Sequence, residues 1–153
     1  MTAPTPEKDP RDRHPRRLQT YATDAITVTF DPTRCIHAAE CIRTAPAVFD
    51  SRRRRWIKPE LGGVEEITLA VHRCPTGALA YSLPSGEPEK ADGPPTIRAW
   101  RNGPLYVRGD VRVETESGRP IAEGLRIALC RCGATKNAPF CDGSHREVGF
   151  RDP

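Results

Sequence analysis

The sequence predicts an α+β chain built from two small modules. Hydrophobic residues make up 37% of its 153 residues, and 16 prolines and 12 glycines leave room for only short helices and strands. Six cysteines fall into two groups, one in each half of the chain. Modules this small with so little apolar mass usually need a disulfide, a metal or a partner to stay folded. Short cysteine spacings favour metal ligation in a reducing compartment.

The first module is predicted over residues 21–83. Residues 1–20 are rich in proline and charge and nearly free of aliphatic side chains, which predicts a disordered tail. The alternating run AITVTF at 25–30 is rich in β-branched residues and predicts a strand. A tight loop at 35–41, between the first two cysteines, follows that strand.

A helix and a second strand complete this module. Val64, Ile67 and Val71 stand at helical spacing, and Pro75 prevents the helix from continuing. Residues 78–83 return as a strand. The module is therefore a strand–helix–strand unit that carries a cysteine loop.

The second module is predicted over residues 96–151 and is β-rich. The preceding segment, PSGEPEKADGPP at 84–95, has no apolar residue larger than alanine and predicts a linker. Strand candidates follow it, separated by Asn102-Gly103 and Ser117-Gly118 turns, at 96–100, 105–107, 111–114 and 125–129.

Residues 130–145 read CRCGATKNAPFCDGSH and hold the second cysteine group. Three thiols and one imidazole close a four-ligand site, contributed by Cys130, Cys132, Cys141 and His145. Thiolate and imidazole are ligands for soft or borderline metals, so the residue types alone admit both zinc and an iron–sulfur cluster. If a helix starts near Asp142, His145 lies one turn after Cys141 on the same face.

The pattern C-x-C-x₂-T-x₃-P-x-C-D-G-S-H resembles the CDGSH iron–sulfur domain family at each of its defining positions. The stretch GPLYVRGDV at 103–111 is also similar to the segment before the motif in bacterial members. The resemblance implies a 2Fe–2S cluster, with Cys130 and Cys132 on one iron and Cys141 and His145 on the other. Eukaryotic members pair as dimers, so it also implies a possible homodimer.

Three further residues of this motif are expected beside the metal ligands. Asp142 is predicted to be a helix N-cap, or alternatively to orient a ligand by a hydrogen bond. Thr135 and Ser144 are expected to donate to sulfide or to cap turns. His145 must be deprotonated to bind metal, which makes this site sensitive to acid.

The first cysteine group reads C-x₅-C, with Cys35 and Cys41, followed by a remote Cys74-Pro75. A bacterial ferredoxin run of C-x₂-C-x₂-C and a remote Cys-Pro would place a further cysteine where this chain has Ala38. The pattern resembles the divergent single-cluster ferredoxin family. Three cysteines suit a 3Fe–4S cluster, whereas a 4Fe–4S cluster needs a fourth ligand from His37 or solvent. His37 is accordingly a candidate ligand or a neighbour that tunes the cluster.

The sequence favours a protein without an enzymatic activity of its own. It shows neither a Gly-rich phosphate loop nor a recognisable pairing of nucleophile and base. A formal charge of +4, with both signs spread along the chain, is weak support for nucleic-acid binding. No apolar run suits a membrane helix or a signal peptide, so a cytoplasmic protein is expected.

The preferred function is a soluble electron carrier with a redox partner protein. The alternative is a cluster donor to an apo-acceptor protein, or a redox or pH sensor that uses the Cys₃His site.

Overall fold

The computed structural model describes residues 18–153, which form two three-stranded antiparallel sheets and a few short helices. This arrangement confirms the predicted α+β class with two small modules. No helix within the described residues combines the length and the apolar character that crossing a bilayer requires. The elements, in chain order, are β1 (Gln19–Ala22), β2 (Thr27–Phe30), α1 (Glu40–Thr44), a 3₁₀ helix (Pro59–Leu61), α2 (Val64–Arg73), β3 (Leu79–Ser82), β4 (Thr96–Ala99), β5 (Leu105–Glu114), β6 (Pro120–Leu129) and α3 (Ser144–Glu147).

The first module packs α2 against a sheet with the strand order β1-β2-β3. The helix forms where the spacing predicts it, and it buries Ile67, Ala70 and Val71 on one face. It ends because Pro75 forces the preceding residue, Cys74, into an extended conformation. These helix residues share a buried core with residues of the strands and loops: Ile26, Val28, Val48, Phe49, Ile57 and Leu79.

The first module begins earlier in the chain than predicted. Gln19 and Thr20, assigned to the tail, lie in β1 and pair with Phe30 and Thr29. The predicted run at 25–30 contains β2, and β1 is an additional edge strand that precedes it. The rest of the predicted tail, residues 1–17, lies outside the described residues.

The second module has the strand order β4-β5-β6. The strands predicted separately at 105–107 and 111–114 are one ten-residue strand, β5. This strand pairs with β6 on both sides of a register shift near Gly109. Gly109 has a φ of 119°, and a Cβ there would lie 2.7 Å from the Cα of Pro95. The partner strand, β6, starts at Pro120 rather than at 125. The core of this module is small and consists of Val107, Ala122, Ile127 and Phe140.

The modules pack against each other, and Arg126 of β6 lies at their contact. Its guanidinium Nη2 donates to the carbonyl of Leu79 (3.0 Å) and to the carboxylate of Glu89 (2.9 Å), and Nη1 donates to the carbonyl of Cys74 (3.4 Å). The side chains of Arg126 and Glu89 are only 4% and 9% exposed. The approach is so close that a Cβ at Gly77 would clash with the carbonyl oxygen of Arg126. The segment predicted to be a linker is thus fixed to the second sheet.

Other side chains cross the same interface in both directions. Arg34 of the first module donates to the carbonyl of Arg126 (3.3 Å), and its guanidinium lies 5.6 Å from the ring centroid of Phe140. In return, Arg146 of the second module donates to the carbonyl of Ile36 (2.8 Å). The cysteine loop of the first module is therefore held directly by the second.

We expect Arg126→Met to destabilise the protein by about 3–5 kcal/mol, because it leaves the buried Glu89 carboxylate without its partner. Urea unfolding of the anaerobically purified protein measures the loss. Arg112→Met, at an exposed ion pair, is the matched control and is expected to cost about 1 kcal/mol or less.

The double variant Glu89→Leu/Arg126→Met removes both charges, and its loss of stability should be smaller than that of Arg126→Met alone. An Arg126→Met protein as stable as Arg112→Met would contradict the role assigned to this contact.

Candidate metal centres

The three cysteines of the first module line one small cavity. Cys35 lies in the loop after β2, Cys41 lies in the first turn of α1, and Cys74 follows the last residue of α2. The remaining walls are largely apolar and include Phe30, Ile36, Trp56 and Leu79. The structure therefore brings together the three thiols that the sequence singles out.

The loop that carries these thiols has a constrained backbone. His37 and Ala39 have φ angles of 57° and 62°, in the left-handed region that residues other than glycine rarely adopt. The main-chain amides of His37 and Ile42 point towards the sulfurs of Cys35 and Cys41. Such strain is concentrated at functional sites. Here both left-handed residues lie between Cys35 and Cys41.

Two thiols of this cavity, those of Cys35 and Cys41, resist ionisation. Burial, and then the proximity of Cys74, raises the pKa of Cys41 to about 11. Burial also raises the pKa of Cys35. Thiolates are the metal-binding form, and a metal stabilises them by supplying positive charge. The donor set thus fits a positively charged metal group better than a set of free reactive thiolates.

His37 has an exposed side chain and is not among the residues that line the cavity. Its contact with the site is through its main-chain amide, 3.5 Å from the sulfur of Cys35. This placement fits an indirect influence on the site more readily than direct ligation by the imidazole.

The four candidate ligands of the second module form two close pairs. The sulfurs of Cys130 and Cys132, just beyond β6, are 3.7 Å apart. The sulfur of Cys141 lies 3.4 Å from Nδ1 of His145, which is buried on α3. Two thiolates on one tetrahedral metal would lie about 3.8 Å apart, and a thiolate and an imidazole nitrogen about 3.5 Å apart. Each pair therefore has the spacing of two donors on one metal atom.

The candidate ligands do not converge on a single ion. Among residues 18–153, no three His, Cys, Asp or Glu side chains are arranged to hold one metal ion. A structural zinc site needs four ligands around one position, whereas a cluster distributes its ligands over several irons. The two separate pairs of the second module match donors distributed over two metal atoms, as in an iron–sulfur cluster.

The side chains beside these pairs fix the connecting turns. Asp142 accepts hydrogen bonds from the amides of Ser144 (3.0 Å) and Lys136 (2.9 Å). Thr135 donates to the carbonyl of Phe140 (2.7 Å). The helix N-cap is Gly143, one residue later than predicted, because α3 begins at Ser144. Burial opposes ionisation of Asp142, but hydrogen bonds with Ser144, Lys136 and Thr135 outweigh it and lower its pKa to about 2.

The two candidate centres face each other across the module interface. Ile36, from the first cysteine loop, is buried against Ala128 and Cys141, and Ala38 and Tyr106 pack around them. Burial raises the pKa of Tyr106, and so do Cys141 and Cys74, which belong to different centres. This contact was not predicted from the sequence. The only signal near it was the GPLYVRGDV stretch, which contains Tyr106.

Comparisons with known proteins match both modules. The family model described as a divergent 4Fe–4S mono-cluster matches residues 21–84, and the model described as an iron-binding zinc finger of CDGSH type matches residues 102–146. Two curated relatives bear the name Uncharacterized protein YjdI, one from Escherichia coli K12 and one from Escherichia coli O157:H7. Each is 33% identical over 61 residues, which span 40% of this chain and 80% of the relative. Both predicted resemblances are confirmed, in the predicted order.

We expect Asp142→Ala to destabilise the second module by about 1–3 kcal/mol, because two main-chain amides lose a charged acceptor. The second centre should also release its metal faster than in the parent protein, while the first centre is unchanged. Asp110→Ala, at an exposed position of β5, is the matched control. Equal rates of metal loss in the two variants, followed by visible absorption, would contradict the positioning role of Asp142.

Proposed function

The chain belongs to the divergent 4Fe–4S mono-cluster family, joins that module to a CDGSH-type domain and is an iron–sulfur protein; from this premise we propose that it is a cytoplasmic electron carrier. The observation that carries the proposal is the contact between the two candidate centres through Ile36, Tyr106 and Cys141. Two independent metal sites would not require such a contact. A carrier that exchanges electrons between its two centres requires them to lie close together.

We propose that each module holds one cluster. In the first, Cys35, Cys41 and Cys74 would hold a 4Fe–4S cluster, with the fourth ligand outside these three thiols, or a 3Fe–4S cluster. In the second, a 2Fe–2S cluster would be held by Cys130, Cys132, Cys141 and His145. Such clusters, when bound, supply reversible one-electron chemistry whose potential depends on ligand type, hydrogen bonds and exposure.

The residues around the centres suit this role. Ile36 is only 2% exposed and packs with Ala128 against Cys141. Tyr106 adds a half-buried aromatic ring on the same path. The crossing hydrogen bond from Arg146 to Ile36 holds the loop in place, so the ligands need not rearrange when the charge of a centre changes.

The proposed carrier has no substrate of its own and acts with a redox partner protein. The alternative is a cluster donor to an apo-acceptor, or a redox or pH sensor. One observation favours this alternative. A candidate ligand of the second centre, His145, is titratable and lies on a helix of only four residues. The inter-module contact favours the carrier, because a donor site needs no second centre beside it.

We expect protein purified without oxygen to be coloured and to contain about six iron atoms per chain, or about five if the first cluster is 3Fe–4S. Iron and sulfide analysis with electron paramagnetic resonance measures this. Cys41→Ser should remove the signal of the first module, and Cys132→Ser that of the second. A colourless protein, or one that contains only zinc, would contradict the cluster assignment.

We expect both centres to be reduced by a one-electron donor faster than either cluster is transferred to an apo-ferredoxin. Stopped-flow absorption measures reduction, and the spectrum of the acceptor measures transfer. In Cys132→Ser, which lacks the second centre, reduction of the first should still occur. Transfer that outruns reduction in the parent protein would replace the carrier with the donor alternative.

A further inference from the structure

A basic groove lies where the two modules meet, beside both candidate centres. It has a volume of ≈ 500 Å³, within the range typical of small-molecule sites. Ala38 and Pro75, neighbours of the first cysteine group, form part of its floor, and Tyr106 links it to the second. Five arginines line it: Arg43, Arg73, Arg98, Arg108 and Arg146.

The fold explains why these side chains converge. Thr96, Arg98 and Trp100 alternate along β4 and its extension, so they share one face of the sheet. Tyr106 and Arg108 of β5 pair with Arg98 and Thr96 and lie on that same face. This sheet face is one wall of the groove.

The first module supplies the opposite wall. Arg43 lies in the last turn of α1, and Arg73 is the last residue of α2. A positively charged side chain is favourable at the C-terminal end of a helix because of the helix dipole. Arg73 is fixed by a hydrogen bond to the hydroxyl of Thr44 (3.2 Å). Neither wall forms the groove alone, so the site exists only in the joined protein.

The charge of the groove is strongly unbalanced. Glu40 is the one carboxylate among the lining residues, where it pairs with Arg43. Arg108 donates to the main-chain carbonyl of His72 and also pairs with Asp92 just outside the lining, where Nη1 lies 3.5 Å from the carboxylate. Arg146 donates to the carbonyl of Ile36, a bond that orients its guanidinium without neutralising it. Two of the five arginines thus have a carboxylate partner, and the groove keeps an excess of positive charge. Each guanidinium has five N–H donors, and most of them remain available to a ligand. Crowded like charges are unfavourable, and a bound anion would relieve them.

The groove also offers an aromatic surface. Trp100 is 54% exposed, and its ring lies 5.4 Å from that of Tyr106, centroid to centroid. An exposed tryptophan at the edge of a basic site is a stacking platform for a planar ring. Guanidiniums with free donors bind phosphate oxygens in bidentate geometry.

We propose that this groove binds a nucleotide that carries two or more phosphates. The arginines of both walls bind the phosphates, and Trp100 stacks on the base. The concave shape favours a small ligand over an acidic protein surface. The site is separate from the metal ligands, so the proposal does not depend on the electron-carrier function.

Isothermal titration of the anaerobically purified, metal-loaded protein tests this with ATP and with tripolyphosphate, both without divalent cations. Both should bind. Arg73→Gln/Arg98→Gln should weaken both at least about 100-fold, since each lost charged hydrogen bond costs about tenfold or more. Arg54→Gln/Arg151→Gln removes the same charge from exposed sites outside the groove and should change binding about twofold at most. Visible absorption in each titration checks that the metal centres are intact.

Trp100→Ala separates the two parts of the ligand. It should weaken ATP about fivefold or more and leave tripolyphosphate unchanged, because stacking on the base is lost. An equal loss for both probes would overturn the stacking assignment.

Absence of binding, or binding insensitive to Arg73→Gln/Arg98→Gln, would overturn the site. Binding of deca-glutamate that is lost in that variant, with no binding of ATP, would assign the groove to an acidic partner protein instead.

Discussion

The guanidinium of Arg126 is a buried cation whose hydrogen-bond acceptors belong to the other module or to the connecting segment: the carbonyls of Cys74 and Leu79 and the carboxylate of Glu89. Burial opposes both charges, lowering the pKa of Arg126 and raising that of Glu89. Such a pair adds little net stability, but its geometry is stringent because either charge alone would be costly to bury. It therefore fixes the second sheet directly behind Cys74, a candidate ligand of the first centre.

This fixed contact gives the interface its two functional features. Each module has a modest core, and the second has only four buried core residues. Joined, they bury Ile36, from the first cysteine loop, against Cys141, a candidate ligand of the second centre. The same junction places arginines from both modules around one groove. An electron carrier and an anion site beside it would thus share one structural cause.

The sequence predicts features that depend on local pattern. The spacing of Val64, Ile67 and Val71 is sufficient for α2, and the strings around Cys35 and Cys130 indicate both candidate centres. Features that depend on contacts distant in the chain were missed. Gly109 joins two predicted strands at a point where its backbone lies too close to Pro95 for a side chain. Arg126 reaches acceptors that precede it by between 37 and 52 residues in the chain. No periodicity or spacing in a single sequence marks an arginine whose partners lie in another module. The same limit hides Tyr106 and the groove.

The most direct test of the account is electron paramagnetic resonance of the fully reduced protein, with and without one centre. If the centres face each other across Ile36 and Tyr106, the unpaired spins interact. Each signal should then be broadened or split, and should relax faster than in Cys41→Ser or Cys132→Ser, which retain one centre. A spectrum of the parent protein that equals the simple sum of the two variant spectra would contradict the account.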